Sequence, residues 1–237
     1  MTQSFQKLRK GMGYPDVPMP KKRDWDSLSK NYEPVYYTAD SVKRAVPDWE
    51  NPDVDAIWRR ARKLTLSKNL LRDALTHLPL NPAGATGISG HGRLRNLGPN
   101  VTADGIMTHG DAVLLIERQD TGQLAFPGGF RDATGKDKYE DPLHAAVREV
   151  YEETDIQLRD IGKAALFSAG VAALSLRNTD NAWIENTAFH IDISDIDRPS
   201  PTAKDDAKSA GWYTLSDRVI SRMSDTHAEN AVKLRGY

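Results

Sequence analysis

Arg148, Glu149, Glu152 and Glu153 stand close together in the chain and are the residues best suited to chemistry. On a helix, carboxylates at i, i+3 and i+4 emerge on one side, so the three glutamates converge. This is a poor way to stabilise a helix: like charges four apart cost roughly 0.2–0.5 kcal/mol. They also crowd the C-terminal half, where the macrodipole disfavours anions. A hard divalent cation reverses the balance, since Mg²⁺ or Mn²⁺ takes carboxylate oxygens and shares them with substrate phosphates. Arg148, four residues before Glu152, is placed to hold that carboxylate through a paired hydrogen bond. A solvated acidic face is the competing explanation for the same residues.

The helix that must position them has a clear start. Asp141 is a good N-cap and Pro142 occupies the first helical position, where a missing N–H costs nothing. Leu143, Ala146, Val147 and Val150 recur at helical spacing as a buried stripe, with Arg148 and the glutamates directed away from it. Before the helix, Phe126-Pro127-Gly128-Gly129-Phe130 offers a glycine pair at which backbone can approach phosphate or metal closely.

The 237 residues are enough for one large domain or two small ones with a real core. A net charge of −1 argues against a polyanion-binding surface, so no nucleic-acid partner is expected. There is no cysteine, which excludes disulfides and thiolate chemistry. No apolar run approaches the roughly 18 residues of a membrane span, and the polar, basic N-terminus has no secretory h-region. A cytoplasmic location with no membrane partner is the expectation.

In chain order, 1–24 reads as irregular because Pro15, Pro18 and Pro20 interrupt it. Tyr32 to Val42 suits a short strand. Val54 to Leu78 reads as helical with a break near Thr65–Ser67, and its cluster Arg59, Arg60, Arg62, Lys63 as a solvated face. Asn81 to Asn100 is a long Gly-, Pro- and Asn-rich loop. Strands are expected at Val101–Met107, Ala112–Ile116, Ala164–Leu176 (interrupted at Gly170), Thr187–Ile193 and around Gly211–Tyr213, with a polar loop at Arg177–Trp183 and a helix at about Thr226–Leu234. Strands interleaved with helices imply an α/β sandwich.

The string around the glutamates resembles the Nudix hydrolase signature: a Gly, a Glu further on, then Arg148-Glu149-Val150-Tyr151-Glu152-Glu153-Thr154-Asp155-Ile156, with Glu140 at the expected distance before Arg148. Asp155 stands where the signature has Gly, and an insertion lies around Ala133 to Lys138. Further strings are similar to the branch of the family that contains ADP-ribose pyrophosphatases and related ligand-binding channel domains: Tyr32-Glu33-Pro34-Val35-Tyr36-Tyr37-Thr38, Asn81-Pro82-Ala83-Gly84-Ala85-Thr86-Gly87, Gly92-Arg93-Leu94, Leu97-Gly98-Pro99-Asn100 with Ala103-Asp104, Arg177 through Trp183, and Asp205-Asp206-Ala207.

The resemblance implies a Nudix-type α/β/α sandwich with a mixed sheet over 96–237, preceded by a small accessory region over 1–95. It implies Mg²⁺-dependent hydrolysis of ADP-ribose to AMP and ribose 5-phosphate, with Mn²⁺ as a substitute ion. Glu149, Glu152 and Glu153 become metal ligands, one of Glu149 and Glu153 lying closest to the attacking water; Arg148 orients them and Glu140 assists or binds a further metal. Gly128 and Gly129 offer backbone to metal or phosphates. Arg177, Asp180 and Asn181 in the polar loop, and His227, become substrate contacts; Trp183 is expected in the core or at the rim. Another nucleoside diphosphate derivative as substrate, or a non-catalytic ADP-ribose sensor, are the alternatives.

Overall fold

The computed structural model describes residues 2–29, 31–158 and 163–236. In chain order the elements are α1 (Thr2–Gly11), a short 3-10 turn (Trp25–Ser27), β1 (Val35–Thr38), α2 (Asp40–Ala45), α3 (Val54–Leu64), β2 (Ile88–Gly92) and β3 (Gly98–His109). There follow β4 (Ala112–Arg118), β5 (Leu124–Ala125), β6 (Gly128–Phe130), β7 (Ala133–Gly135), β8 (Lys138–Tyr139) and α4 (Pro142–Thr154). The chain closes with β9 (Ala164–Val171), β10 (Ala182–Asp192), β11 (Ala207–Thr214), α5 (Asp217–Ile220) and α6 (Asp225–Arg235).

Contacts divide the chain into two units, Met1–Asn100 with Gly170–Glu185, and Val101–Ala169 with Asn186–Tyr237. The segment Gly170–Glu185, expected in the second domain, therefore clusters with the first.

The main sheet runs in the order β11-β4-β3-β10-β9, with β5 paired to β4 and β6 to β3. The β11–β4 and β3–β4 pairs are antiparallel. Between β3 and β10 the residue numbers rise together, Gly98 N–H bonding the Asn181 carbonyl and Ile193 N–H the Thr108 carbonyl, so this pair is parallel and the sheet is mixed. Strand β4 is apolar on both faces, as a central strand must be. Val113 and Leu115 pack with Ile106, Phe126 and Ala231 of α6 on one face, while Leu114 packs with Met107, Ile191 and Val150 of α4 on the other. Helices thus cover both faces of the sheet: the expected α/β/α sandwich.

The first unit departs from expectation in several places. Residues 2–11 form a helix, since all three prolines fall after it. β1 ends at Thr38 and the chain turns into α2 at Asp40. α3 stops at Leu64, and the Thr65 side chain donates to Glu185 at 2.6 Å. Beyond it, Asp73 accepts from the backbone N–H groups of Leu75 and Thr76, and such local side-chain bonds displace helix. Leu75 is 91% exposed, so its apolar spacing faces no core. The Asn81–Asn100 stretch carries β2, paired in parallel with β1, and the start of β3. Trp183 is fully buried and donates to Glu185 at 3.0 Å. Arg60, expected on a solvated face, donates to Asn96 and to the Leu97 carbonyl.

Candidate active site

α4 begins as the sequence requires: the Asp141 carboxylate accepts from the N–H groups of Leu143 and His144 at 2.9 and 3.2 Å. Ala145, Ala146 and Val150 are fully buried, so the helix is pinned to the sheet along this stripe. At its end Asp155 takes the left-handed conformation, φ +58°, that the signature reserves for glycine. Asp tolerates this region better than most residues, and Lys204 Nζ binds its carboxylate at 2.5 Å.

Glu149 and Glu153 do not point away from the buried face. They are 8% and 3% exposed, because β6 passes over this side of the helix. Glu153 Oε2 accepts from the Gly128 N–H at 2.9 Å. Arg148 is the hub of the remaining carboxylates. Its Nη1 donates to Glu149 Oε1 at 2.9 Å and to Glu152 Oε2 at 2.7 Å, the i, i+4 pair that the spacing predicts. Its Nε and Nη2 grip Glu140 at 3.1 and 2.9 Å, and Nη2 also reaches the Phe130 carbonyl at 3.0 Å. The insertion closes into the β7–β8 hairpin, and Glu140 N–H returns to the Asp132 carbonyl at 2.8 Å. Glu140 thereby emerges beside Arg148 despite the extra residues.

The electrostatics follow from this burial. Desolvation pushes Glu149 up to about 7 and Glu153 up to about 8, Glu153 feeling Glu149 and Asp104 in addition. The Arg148 hydrogen bonds hold Glu140 below the usual carboxylate range, and the Glu140 bond in turn raises the guanidinium further.

Gly128 and Gly129 lie in β6, paired with Asp104 and Ala103 of β3. A Cβ on Gly129 would meet the Glu149 carboxylate at 2.5 Å; one on Gly128 would collide with Asp104 Oδ1 and come within 2.7 Å of the Ala103 carbonyl oxygen. Gly128 requires glycine because backbone of β3 lies against it, whereas at Gly129 the neighbour is the movable end of the Glu149 side chain. Asp104 is buried and accepts from Asn186 at 2.7 Å, and desolvation pushes it up to about 7. His227 Nδ1 lies 3.7 Å from Asp104 and has no hydrogen-bond partner among the described residues. Burial takes this imidazole down to about 4, so it is neutral at physiological pH, beside the Phe126 ring. Asp104 and Asn186 were not singled out as site residues from sequence; Asp104 was visible only as part of a family string.

Glu140, Glu149 and Glu152 gathered around the Arg148 guanidinium, with the buried Glu153 held separately on the Gly128 N–H, form an all-oxygen donor set of the type that suits Mg²⁺ or Mn²⁺. As placed, Arg148 clamps the carboxylates: among the described residues no three acidic or histidine side chains converge on one point at metal-binding distance.

The remaining expected contacts belong to the first unit. Arg177 is half-buried in the loop before β10. Asp180 and Asn181 are both engaged within the protein. Asp180 accepts from Thr86 N–H and hydroxyl at 2.6 and 2.8 Å and from the Tyr32 hydroxyl at 2.6 Å. Asn181 accepts from Gly90 N–H at 3.1 Å and donates to the Pro79 carbonyl at 3.4 Å. Both are buried and stitch this loop to the Asn81–Gly92 segment, which is why those two polar strings occur together.

Comparison with known proteins agrees with this geometry. The family description "NUDIX domain" matches residues 98–232, and "NUDT9-like, N-terminal domain" matches residues 17–98. A Caenorhabditis elegans protein named for the nudix hydrolases is 31% identical over 232 residues, 88% of this chain and 86% of that protein. The mitochondrial ADP-ribose pyrophosphatase of Rattus norvegicus is 31% identical over 240 residues, covering 84% of this chain and 67% of the rat protein. A transient receptor potential cation channel, subfamily M member-like 2, of Nematostella vectensis is 31% identical over 236 residues, 83% of this chain but 15% of the channel. Among solved structures, a bifunctional NMN adenylyltransferase/ADP ribose pyrophosphatase of Francisella tularensis complexed with AMP and a Mn ion aligns at 23% identity and a TM-score of 0.48, over 58% of this chain and 41% of that one. The chain belongs to the Nudix family, with a NUDT9-like N-terminal domain ahead of its NUDIX domain.

Proposed function

We propose that this Nudix hydrolase cleaves the pyrophosphate bond of ADP-ribose, giving AMP and ribose 5-phosphate, with Mg²⁺ as the working ion and Mn²⁺ as a substitute. The observation that carries the chemistry is the Arg148 guanidinium bound to Glu149 and Glu152, with the buried Glu153 one turn of the helix beyond Glu149. Glu149, Glu152 and Glu153 would hold the ion, which when bound neutralises phosphate charge and activates water. Arg148 holds Glu149, Glu152 and Glu140, and Glu149 and Glu152 would have to turn from it toward the ion for the three ligands to meet at one point. Of the three, Glu149 or Glu153 would lie closest to the attacking water. Gly128 and Gly129 would offer backbone to the metal or phosphates. Arg177 binds a phosphate or the ribose, and His227, neutral and one hydrogen bond short, offers a nucleotide contact.

ADP-ribose as substrate is supported by the match to the rat ADP-ribose pyrophosphatase, which covers 84% of this chain and so both its family regions. The channel relative favours a second reading, an ADP-ribose sensor without turnover, but the intact glutamates weigh against it. A cytoplasmic location belongs to the same proposal; the rat relative is mitochondrial by name, and among the described residues no helix is long and apolar enough to cross a membrane.

Product analysis on the purified chain with ADP-ribose, Mg²⁺ and a panel of nucleoside diphosphate derivatives tests the reading. AMP should form fastest from ADP-ribose and cease on adding EDTA. Tight ADP-ribose binding without AMP would make the protein a sensor. Faster cleavage of another nucleotide would overturn the substrate and keep the chemistry.

A further inference from the structure

α1 and the turn after it precede residue 17, where the match to the N-terminal domain begins. Their side chains nevertheless reach the loop that carries Arg177. Tyr14, 3% exposed, donates its hydroxyl to the Arg177 carbonyl at 2.8 Å and accepts from Arg93 N–H at 3.1 Å. Arg9, also 3% exposed, donates through Nη2 to the Asn178 carbonyl at 2.8 Å and through Nη1 to the Thr86 carbonyl at 3.4 Å. Its guanidinium lies 4.7 Å from the centre of the Tyr14 ring. Arg93 closes the set by donating to the Met12 carbonyl at 2.6 Å. A Cβ on Gly92 would come within 2.9 Å of the Tyr14 ring and hydroxyl, so the seat is shaped to this side chain.

Burying a guanidinium is costly, and Arg9 Nε has no hydrogen-bond partner among the described residues. Fastening a surface helix needs no such residue; an apolar side chain would do it at lower cost. What Arg9 and Tyr14 achieve is to fix two successive carbonyls, those of Arg177 and Asn178, from outside the loop. Asn178 to Asn181 are anchored from within through their own side chains. The α1 contacts complete the anchoring at the end where Arg177 lies.

We propose that α1 and its following turn are a positioning element for substrate binding: Tyr14 and Arg9 hold the backbone of Arg177 and Asn178 so that the Arg177 guanidinium is presented in one orientation. The inference rests on the reading that Arg177 binds ADP-ribose. Pre-ordering the loop removes an entropy cost that binding would otherwise bear. Its loss therefore raises KM and leaves kcat.

The test is steady-state hydrolysis of ADP-ribose with Mg²⁺ by the full chain, with the melting temperature of each variant. Tyr14→Phe, which deletes one hydroxyl, should raise KM about fivefold, the effect of one neutral hydrogen bond, with kcat kept within about twofold. Arg9→Met should raise KM further, and Arg9→Lys should recover part of the loss. The proposal is overturned if Arg177→Ala raises KM while Tyr14→Phe and Arg9→Met leave it unchanged, or if they lower only the melting temperature and kcat. An unchanged KM in Arg177→Ala instead defeats the reading of Arg177 itself, and the proposal with it. If Arg9→Met does not fold, Tyr14→Phe decides.

Discussion

Arg148 and Glu140 face each other through two near-parallel hydrogen bonds, Nε to Oε1 at 3.1 Å and Nη2 to Oε2 at 2.9 Å, while the third guanidinium nitrogen holds Glu149 and Glu152. A planar fork with donors on each edge is needed to do both at once. Arg148→Lys should therefore behave like Arg148→Ala and lower kcat/KM by about 10–100-fold, the usual loss when a group orienting metal ligands is removed. Comparing the two variants with wild type on ADP-ribose checks this; near-wild-type kinetics in the lysine variant would remove the fork from the argument.

The buried glutamates predict a pH dependence whose sign is unusual for carboxyl groups. With Glu149 near 7 and Glu153 near 8 in the fold, against an ordinary value of 4.5, the folded state holds more protons than the unfolded chain between those limits. Stability of the metal-free protein should then fall as pH rises from about 5 to above 8. Glu153→Gln keeps an acceptor for the Gly128 N–H and removes one buried charge, so it should flatten that slope while turnover drops by orders of magnitude. Thermal melts in EDTA from pH 5 to 9 decide it, and a slope equal in both proteins would contradict the assignment. Mg²⁺ should raise the melting temperature most at the alkaline end, because at lower pH protons compete with the ion for the carboxylates.

The two glycines of β6 should separate stability from activity. On Gly128 a methyl group would press on Asp104 and on the Ala103 carbonyl, a backbone atom that cannot yield without opening the β3–β6 pairing. Gly128→Ala should cost about 1–3 kcal/mol of stability in a denaturant titration. On Gly129 the methyl meets the far end of the Glu149 side chain, which can rotate aside. Gly129→Ala should melt close to wild type and lose about tenfold or more in turnover. The reverse ranking would mean that β6 is placed differently around the helix.

How much of this was legible in the sequence depended on whether a local cause was enough. The cap at Asp141, the proline after it and the Arg148–Glu152 pair are decided within a few residues and appear as read. Helix α4 by itself gives Glu149 and Glu153 no reason to be buried; the reason is β6, which packs over this side of it. α1 was hidden by the prolines that follow it, and its anchor, Arg9, has partners at Thr86 and Asn178 far along the sequence. For Asp180 and Asn181 the family resemblance implies substrate contacts, while their partners inside the protein, Thr86, Tyr32, Gly90 and Pro79, lie far back in the chain where no local pattern could show them. Asp155 in place of glycine was legible as a departure, though not its partner Lys204.

The chain passes from one unit to the other three times, after Asn100, after Ala169 and after Glu185, within or beside β3, β9 and β10. Neither unit is therefore a cassette that a single gene fusion could move. A fragment beginning at residue 96 would carry Ala172, Ala182 and Ile184 without Leu94, the residue that completes their apolar cluster, and would carry Thr179 and Asp180 without Gly90 and Thr86. Recombination at that junction would expose a raw edge on both products.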